Sequence, residues 1–364
     1  MWLVSSLFSG LQRWSCSIER RKAGGGFMFD ALRWRSILPL TLLLAAVMPA
    51  LASASGWREG APMSTGRAFA GGAVLGGDLY VIGGDSTSGP RAVAEIYDIR
   101  GDIWRAAPAL PVGLQQFGMA ASGGRLYVSG GYEAPAPQRP DFMSPQGTGV
   151  FGDATEGGDT SRAWVYDPRV GTWLSIADMP GKRAGHGFIP VGGKIYAIGG
   201  RGNSATRVWA YDPGGDKWEM TGDAMPAPRV AAAYVEVDGL IYAIGGLSNG
   251  AATSRVDVFD PSTGRWQRGP SLPTPRSGHV AALLDGKVHV TGGEQQVPPR
   301  TYGDHFILDL ANGRWEKAKP LPTPRHGAVA AATDGKFVVV GGSPGAGVFT
   351  VFTESDVVDI YSTE

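Results

Sequence analysis

The stretch GGEQQVPPR (292–300) sets Glu294 directly after two glycines and Arg300 six residues later. A carboxylate can take or give a proton while a nearby guanidinium holds an acidic substrate. Glu294 and Arg300 are therefore the catalytic candidates, for acid–base work on a bound anion. The plainer reading is an ion pair in a solvated loop, which contributes little. Five more arginines recur in like surroundings: Arg67, Arg183, Arg229, Arg276 and Arg325. Together they could form a cationic collar for a carboxylate. Five copies suit a structural role better, each tying its own unit to a neighbour. His186 and His279 each stand three residues after such an arginine, in RAGH and RSGH. They fall in separate units and are expected to be hydrogen-bonded strand residues, since no paired-histidine spacing supports a metal. No cofactor is expected. There is no G-x-S-x-G, and no Gly-rich turn opens a helix, so serine-nucleophile and phosphate-loop chemistry find no motif.

The elements that must position these residues repeat. Six apolar runs each end in two glycines: LYVIGG, LYVSGG, IYAIGG, IYAIGG, VHVTGG and FVVVGG. Successive first glycines lie 47, 69, 46, 47 and 49 residues apart. Each recurring arginine sits 16 residues before its first glycine, and Leu114 takes that place in the second copy. An aromatic–Asp pair follows in four copies (Tyr97-Asp98, Tyr166-Asp167, Tyr211-Asp212, Phe259-Asp260), and Leu308-Asp309 in the fifth. Then comes a tryptophan: Trp104, Trp173, Trp218, Trp266 and Trp315. These marks delimit four short strands per unit. Strand a follows the arginine, b runs into Gly-Gly, c leads to the aromatic–Asp turn, and d carries the tryptophan. Alternation in RVDVFD has the period of two that strands need. DPSTGRW, DPGGDKW and DLANGRW supply tight hairpin turns. A period in the upper forties built from four strands is the signature of a propeller.

The pattern resembles the Kelch repeat from Trp57 to Tyr361. The resemblance implies an all-β fold, a six-bladed β-propeller with four antiparallel strands per blade. The sixth copy lacks a strand d tryptophan. Trp57, 47 residues before Trp104, is expected to supply it, so that an N-terminal strand closes the ring. Strand order places the b–c loops and the starts of strand a on one face, and variable loops on a rigid scaffold are where binding resides. Those loops are 85–92, 132–162, 201–206, 247–254, 294–304 and 343–355. The long blade-two loop, 132–162, is either a lid or an insertion.

In some Kelch relatives the residue one past the repeat arginine contacts ligand. That implies Gln115, Ser277 and His326 as ligand-binding candidates, with Arg183, Arg276 and Arg325 beside them. The Glu294 and Arg300 spacing resembles the pair associated with activity in N-acetylneuraminate epimerase, an exported six-bladed Kelch mutarotase. Galactose oxidase carries Kelch propellers too, but its copper radical site needs a cysteine crosslinked to a tyrosine. The single cysteine here is Cys16.

Residues 1–54 read as a leader. Arg33 and Arg35 precede ILPLTLLLAAVMPALA, then Ala52-Ser53-Ala54, a signal peptide with cleavage expected near Ala54 and an uncleaved anchor as the alternative. Met28 would start a signal of ordinary length. Residues 55–364 then form the propeller, periplasmic or secreted, with neither disulfide nor membrane span. Net charge is zero for the chain, and the part after residue 54 holds 27 basic and 31 acidic residues. No basic stripe suits nucleic acid. Two functions follow: a non-catalytic propeller, monomeric, holding an extracytoplasmic glycan, sugar acid or protein ligand on its b–c face; or a sugar mutarotase acting on sialic-acid-like substrates through Glu294 and Arg300.

Overall fold

A short strand with apolar residues on both faces needs a neighbour on each side, and a ring of sheets supplies both. The computed structural model describes residues 56–133 and 158–363, and they build that ring. Blade one holds Gly71–Leu75, Asp78–Ile82, Ala94–Asp98 and Ile103–Ala107 as strands a to d, each paired antiparallel with the next. Blades two to five repeat this order. Blade six takes a, b and c from Val329–Thr333, Lys336–Val340 and Val358–Ser362. Its strand d is Gly56–Gly60, with Trp57 opposite Tyr361. The ring is therefore closed by the N-terminal strand, as expected, and no blade is left with an open edge there.

The core is six layers rather than one. Leu79, Val81 and Tyr97 of blade one pack on Val338, Val340 and Ile360 of blade six. Tyr196 and Ile198 of blade three likewise pack on Ile241 and Phe259 of blade four. Each fully buried Leu or Val side chain contributes about 1.5–3 kcal/mol. Further from the axis the blades diverge, and the tryptophans fill the gap. Trp57, Trp104, Trp173, Trp218, Trp266 and Trp315 each donate an indole N–H to a carbonyl just past strand d of the preceding blade, at 2.7–3.1 Å. Trp57 bonds Lys319 of blade five, which places it by chemistry as well as by pairing in blade six.

Near the axis the backbone does the joining. The second glycine of each pair donates its N–H to the carbonyl of the recurring-arginine position in the next blade: Leu114, Arg183, Arg229, Arg276, Arg325 and, closing the ring, Arg67, at 2.8–2.9 Å. Both glycines of every pair have positive φ, and a Cβ on Gly84 would lie 2.8 Å from the Ala68 carbonyl oxygen. That is why no other residue serves there. Two residues after that position, Phe69, Gln116, Gly185, Ala231, Gly278 and Gly327 form a closed circle of six N–H to C=O bonds, 2.7–3.1 Å long. All six have φ between 52° and 65°. Phe69, Gln116 and Ala231 hold that left-handed conformation at a cost, which the circle offsets.

Candidate functional site

The circle encloses an axial cavity of about 130 Å³, lined by its own residues and by Phe117, His186 and His279. The b–c loops stand above it. In each blade the residue after the arginine position bridges the residue after Gly-Gly: Ala68 to Asp85, Gln115 to Tyr132, Val230 to Leu247, Ser277 to Glu294 and His326 to Ser343. Ala184 pairs with Arg201 in the same way. Asp85, Tyr132, Arg201, Leu247, Glu294 and Ser343 thus hold equivalent places around the mouth.

The recurring arginines do not form a collar at that mouth. All five are 0 or 1% exposed. Each side chain turns back into its own blade, not into a neighbour, which corrects the expectation. Arg67 meets Glu95 at 2.7 Å and the Val81 carbonyl. Arg183 donates to Ala197, and Arg276 to Gly292 while lying 4.8 Å from the Tyr302 ring. Arg229 bonds Asp257 at 2.6 Å, and Arg325 bonds Asp359 at 2.5 Å and the Val339 carbonyl at 2.9 Å. Burial lowers all five, Arg183 and Arg276 to about 10. Their role is to tie strands b and c together; the tie to the neighbouring blade is made by their carbonyls instead.

Glu294 and Arg300 are brought into one hairpin but not together. Gln295 pairs with Arg300 and Glu294 with Thr301, so Glu294 and Arg300 project from opposite faces of the ribbon. Glu294 is buried beneath the blade-six loop, where Gly347 N–H donates to its Oε2 at 2.8 Å. Arg300 is exposed and lies over Tyr302, 5.2 Å from the ring centre. The carboxylate faces His326 instead, 3.7 Å from Nδ1. His326 Nε2 lies 2.8 Å from the Gly345 carbonyl, so that nitrogen carries the proton. Burial holds His326 below the usual histidine value, against the pull of Glu294.

Ser277 and His326 are also covered, at 0 and 1% exposure. Gln115 is nearly so, with Oε1 buried and unpartnered. His186 and His279 sit between blades. His186 Nε2 is 3.1 Å from Ser129 Oγ of the preceding blade. They come from blades three and five, and both line the axial cavity.

The polar groups that do reach the mouth went unnamed in the sequence. Arg201 holds Asp159 with two bonds, 3.0 and 2.7 Å, and a third to Gln116 Oε1 at 2.5 Å, beside the Tyr132 ring. Burial, with Glu354 nearby, pushes Asp85 up to about 6. The signal that could have found them is position. Each of Asp85, Tyr132 and Arg201 follows Gly-Gly as Glu294 does.

The KLHDC2/KLHL20/DRC7 Kelch-repeats domain matches residues 147–342, more than half of the chain, and the Kelch motif matches residues 66–111. The chain belongs to the Kelch-repeat family. Kelch-like protein 35 of Mus musculus is 28% identical over 134 residues, 36% of this chain and 22% of that protein. The chain thus spans about a fifth of that curated relative's length. The solved structure of YjhT superposes with a TM-score of 0.66 at 16% identity, covering 83% of this chain and 96% of that one. That likeness is of fold. Among the described residues no helix is long and apolar enough to cross a membrane.

Proposed function

We propose that this chain is an exported Kelch propeller that holds a glycan or protein ligand on its b–c loop face and performs no reaction on it. The observation that carries the reading is the hairpin register at 294–301. It separates Glu294 from Arg300 and leaves the carboxylate under the blade-six loop, facing His326. The mouth meanwhile presents Tyr132, Arg201 with Asp159, and Asp85, a polar and aromatic set that suits recognition. Export rests on the h-region at 37–52 and on Ala52-Ser53-Ala54; those residues lie outside the described ones. The blade-two loop between 134 and 157 lies outside them as well.

The alternative is a sugar mutarotase. It is favoured by the buried acid–base neighbours Glu294 and His326, but it requires the blade-six loop to lift away. Glycan and peptide arrays probed with the wild type, Arg201→Ala, Tyr132→Ala and an opposite-face control, Lys336→Glu, test the binding reading. Capture lost in the mouth variants and kept in the control is expected. Loss in the control alone would place the site on the other face.

A further inference from the structure

Beside the mouth, between blades six and one, lies a second cavity of about 390 Å³ lined by Thr65, Thr87, Arg91, Phe352, Glu354 and Asp356. Its rim is the 3-10 turn Gly347–Phe352. On that turn Val348, Phe349 and Phe352 are 45, 59 and 58% exposed. Val297, 87% exposed, tips the blade-five loop, which is tied to the same segment through Thr301 to Pro344 and Gly347 to Glu294. Four large apolar side chains at adjoining loop tips are more than the scatter of single exposed residues that a surface needs no reason for. The turn is also held firmly from below. Its Thr350 meets His326, and Ser343 meets Thr353 at 2.7 Å. A knuckle fixed at its base with its apolar side chains outward is preorganised for contact.

The cavity beside it is acidic. Two of its three charged residues are carboxylates, and Arg91 offsets one of them. Among the described residues Glu354 accepts from Thr87 N and Oγ1, both at 3.5 Å, the long limit of a hydrogen bond. Asp85 lies close enough behind that Glu354 raises its pKa. Asp356 is exposed and is ion-paired to no described residue. An apolar ledge next to two carboxylates with no ion-pair partner among the described residues is complementary to an apolar group next to a cation.

We propose that this ledge and cavity dock a polypeptide segment in which an apolar side chain neighbours a lysine or arginine. The apolar side chain lies on Phe349 and Phe352, and the cation enters the cavity between Glu354 and Asp356. The inference rests on the b–c face being the binding face, and within that reading it selects a protein partner over a glycan.

The test is an array of short peptides in a Gly/Ser background carrying apolar–basic, apolar–acidic or polar–basic pairs. It is probed with the labelled full chain, Glu354→Gln/Asp356→Asn and Phe349→Ser/Phe352→Ser. The double variants alter loop groups, Glu354 half-buried and the other three exposed, and unchanged melting temperatures confirm their fold. Apolar–basic peptides should be retained, each double variant should weaken them about tenfold, and added salt should weaken only binding that uses the acids. Preference for acidic peptides would overturn the proposal. So would retention that both variants leave unchanged, which places the ligand elsewhere on the face and leaves the wider reading standing. Capture of glycans with no peptide retained would overturn it too. Loss of all capture in the opposite-face control Lys336→Glu alone would instead remove the b–c face reading beneath it.

Discussion

Acid should open this propeller, and the pair His289–His305 shows by how much. The two rings share one hydrogen bond, 3.0 Å between Nδ1 and Nε2, beneath the strand that closes the ring. His305 packs on Trp57, Phe337 and Tyr361, and its Nδ1 lies 3.2 Å from the Lys319 carbonyl that also accepts from Trp57. Burial lowers His289 from 6.5 to about 4, with Asp285 raising it slightly and Lys287 lowering it. Burial lowers His305 to about 3, helped by His289. Both folded-state values lie below the unfolded one. The unfolded chain therefore takes up protons first as pH falls through 6.5, and the pair's contribution is whole above that pH and lost below it. At pH 5 each histidine disfavours the folded state by about 2 kcal/mol relative to pH 7.5, from 1.36 kcal/mol per unit, so the pair disfavours it by about 4 kcal/mol. Urea unfolding at pH 7.5 and pH 5 should show it. In His289→Phe/His305→Phe the loss of unfolding free energy between those two values should be smaller by about 4 kcal/mol than in the wild type. His186, His279 and His326, also buried with lowered values, keep a residual slope in both proteins. A double variant as acid-sensitive as the wild type would refute the reasoning.

Trp57→Ala removes the indole bond to Lys319 and an aromatic cage contact. It should destabilise the chain by about 3–5 kcal/mol in denaturant unfolding and expose the N-terminal strand to limited proteolysis. Arg325→Met leaves Asp359 buried without its partner and should cost about 3–5 kcal/mol, part of which Arg325→Met/Asp359→Asn recovers in the same assay.

The fold was legible because its marks are local and repeated. The arginine stands 16 residues before Gly-Gly and the tryptophan seven after the aromatic position, and Trp57 falls to the last blade because that blade lacks its own tryptophan and Trp57 stands 47 residues before Trp104. The arginines were harder. Their acid partners, Glu95, Asp257 and Asp359, stand two residues before the aromatic position, yet only in blades one, four and six. In blade three carbonyls substitute, in blade five carbonyls, the Tyr302 ring and Asp304 at 3.9 Å do, and blade two has Leu114 in place of the arginine, so no shared sequence mark reveals that the side chain stays in its own blade. The inner circle was hidden for a similar reason. It is set by backbone conformation at Phe69, Gln116 and Ala231 as well as at glycines, and their side chains share no chemistry. Glu294 and Arg300 failed to meet because the period of two in a strand ribbon makes a spacing of six depend on where the turn falls.

The most direct test of binding without reaction is proton NMR of freshly dissolved sugars, N-acetylneuraminate first, with and without the full chain. The rate of anomer equilibration should be the same with protein as with buffer alone. Acceleration that disappears in Glu294→Gln would contradict it and make the blade-five hairpin a catalytic site.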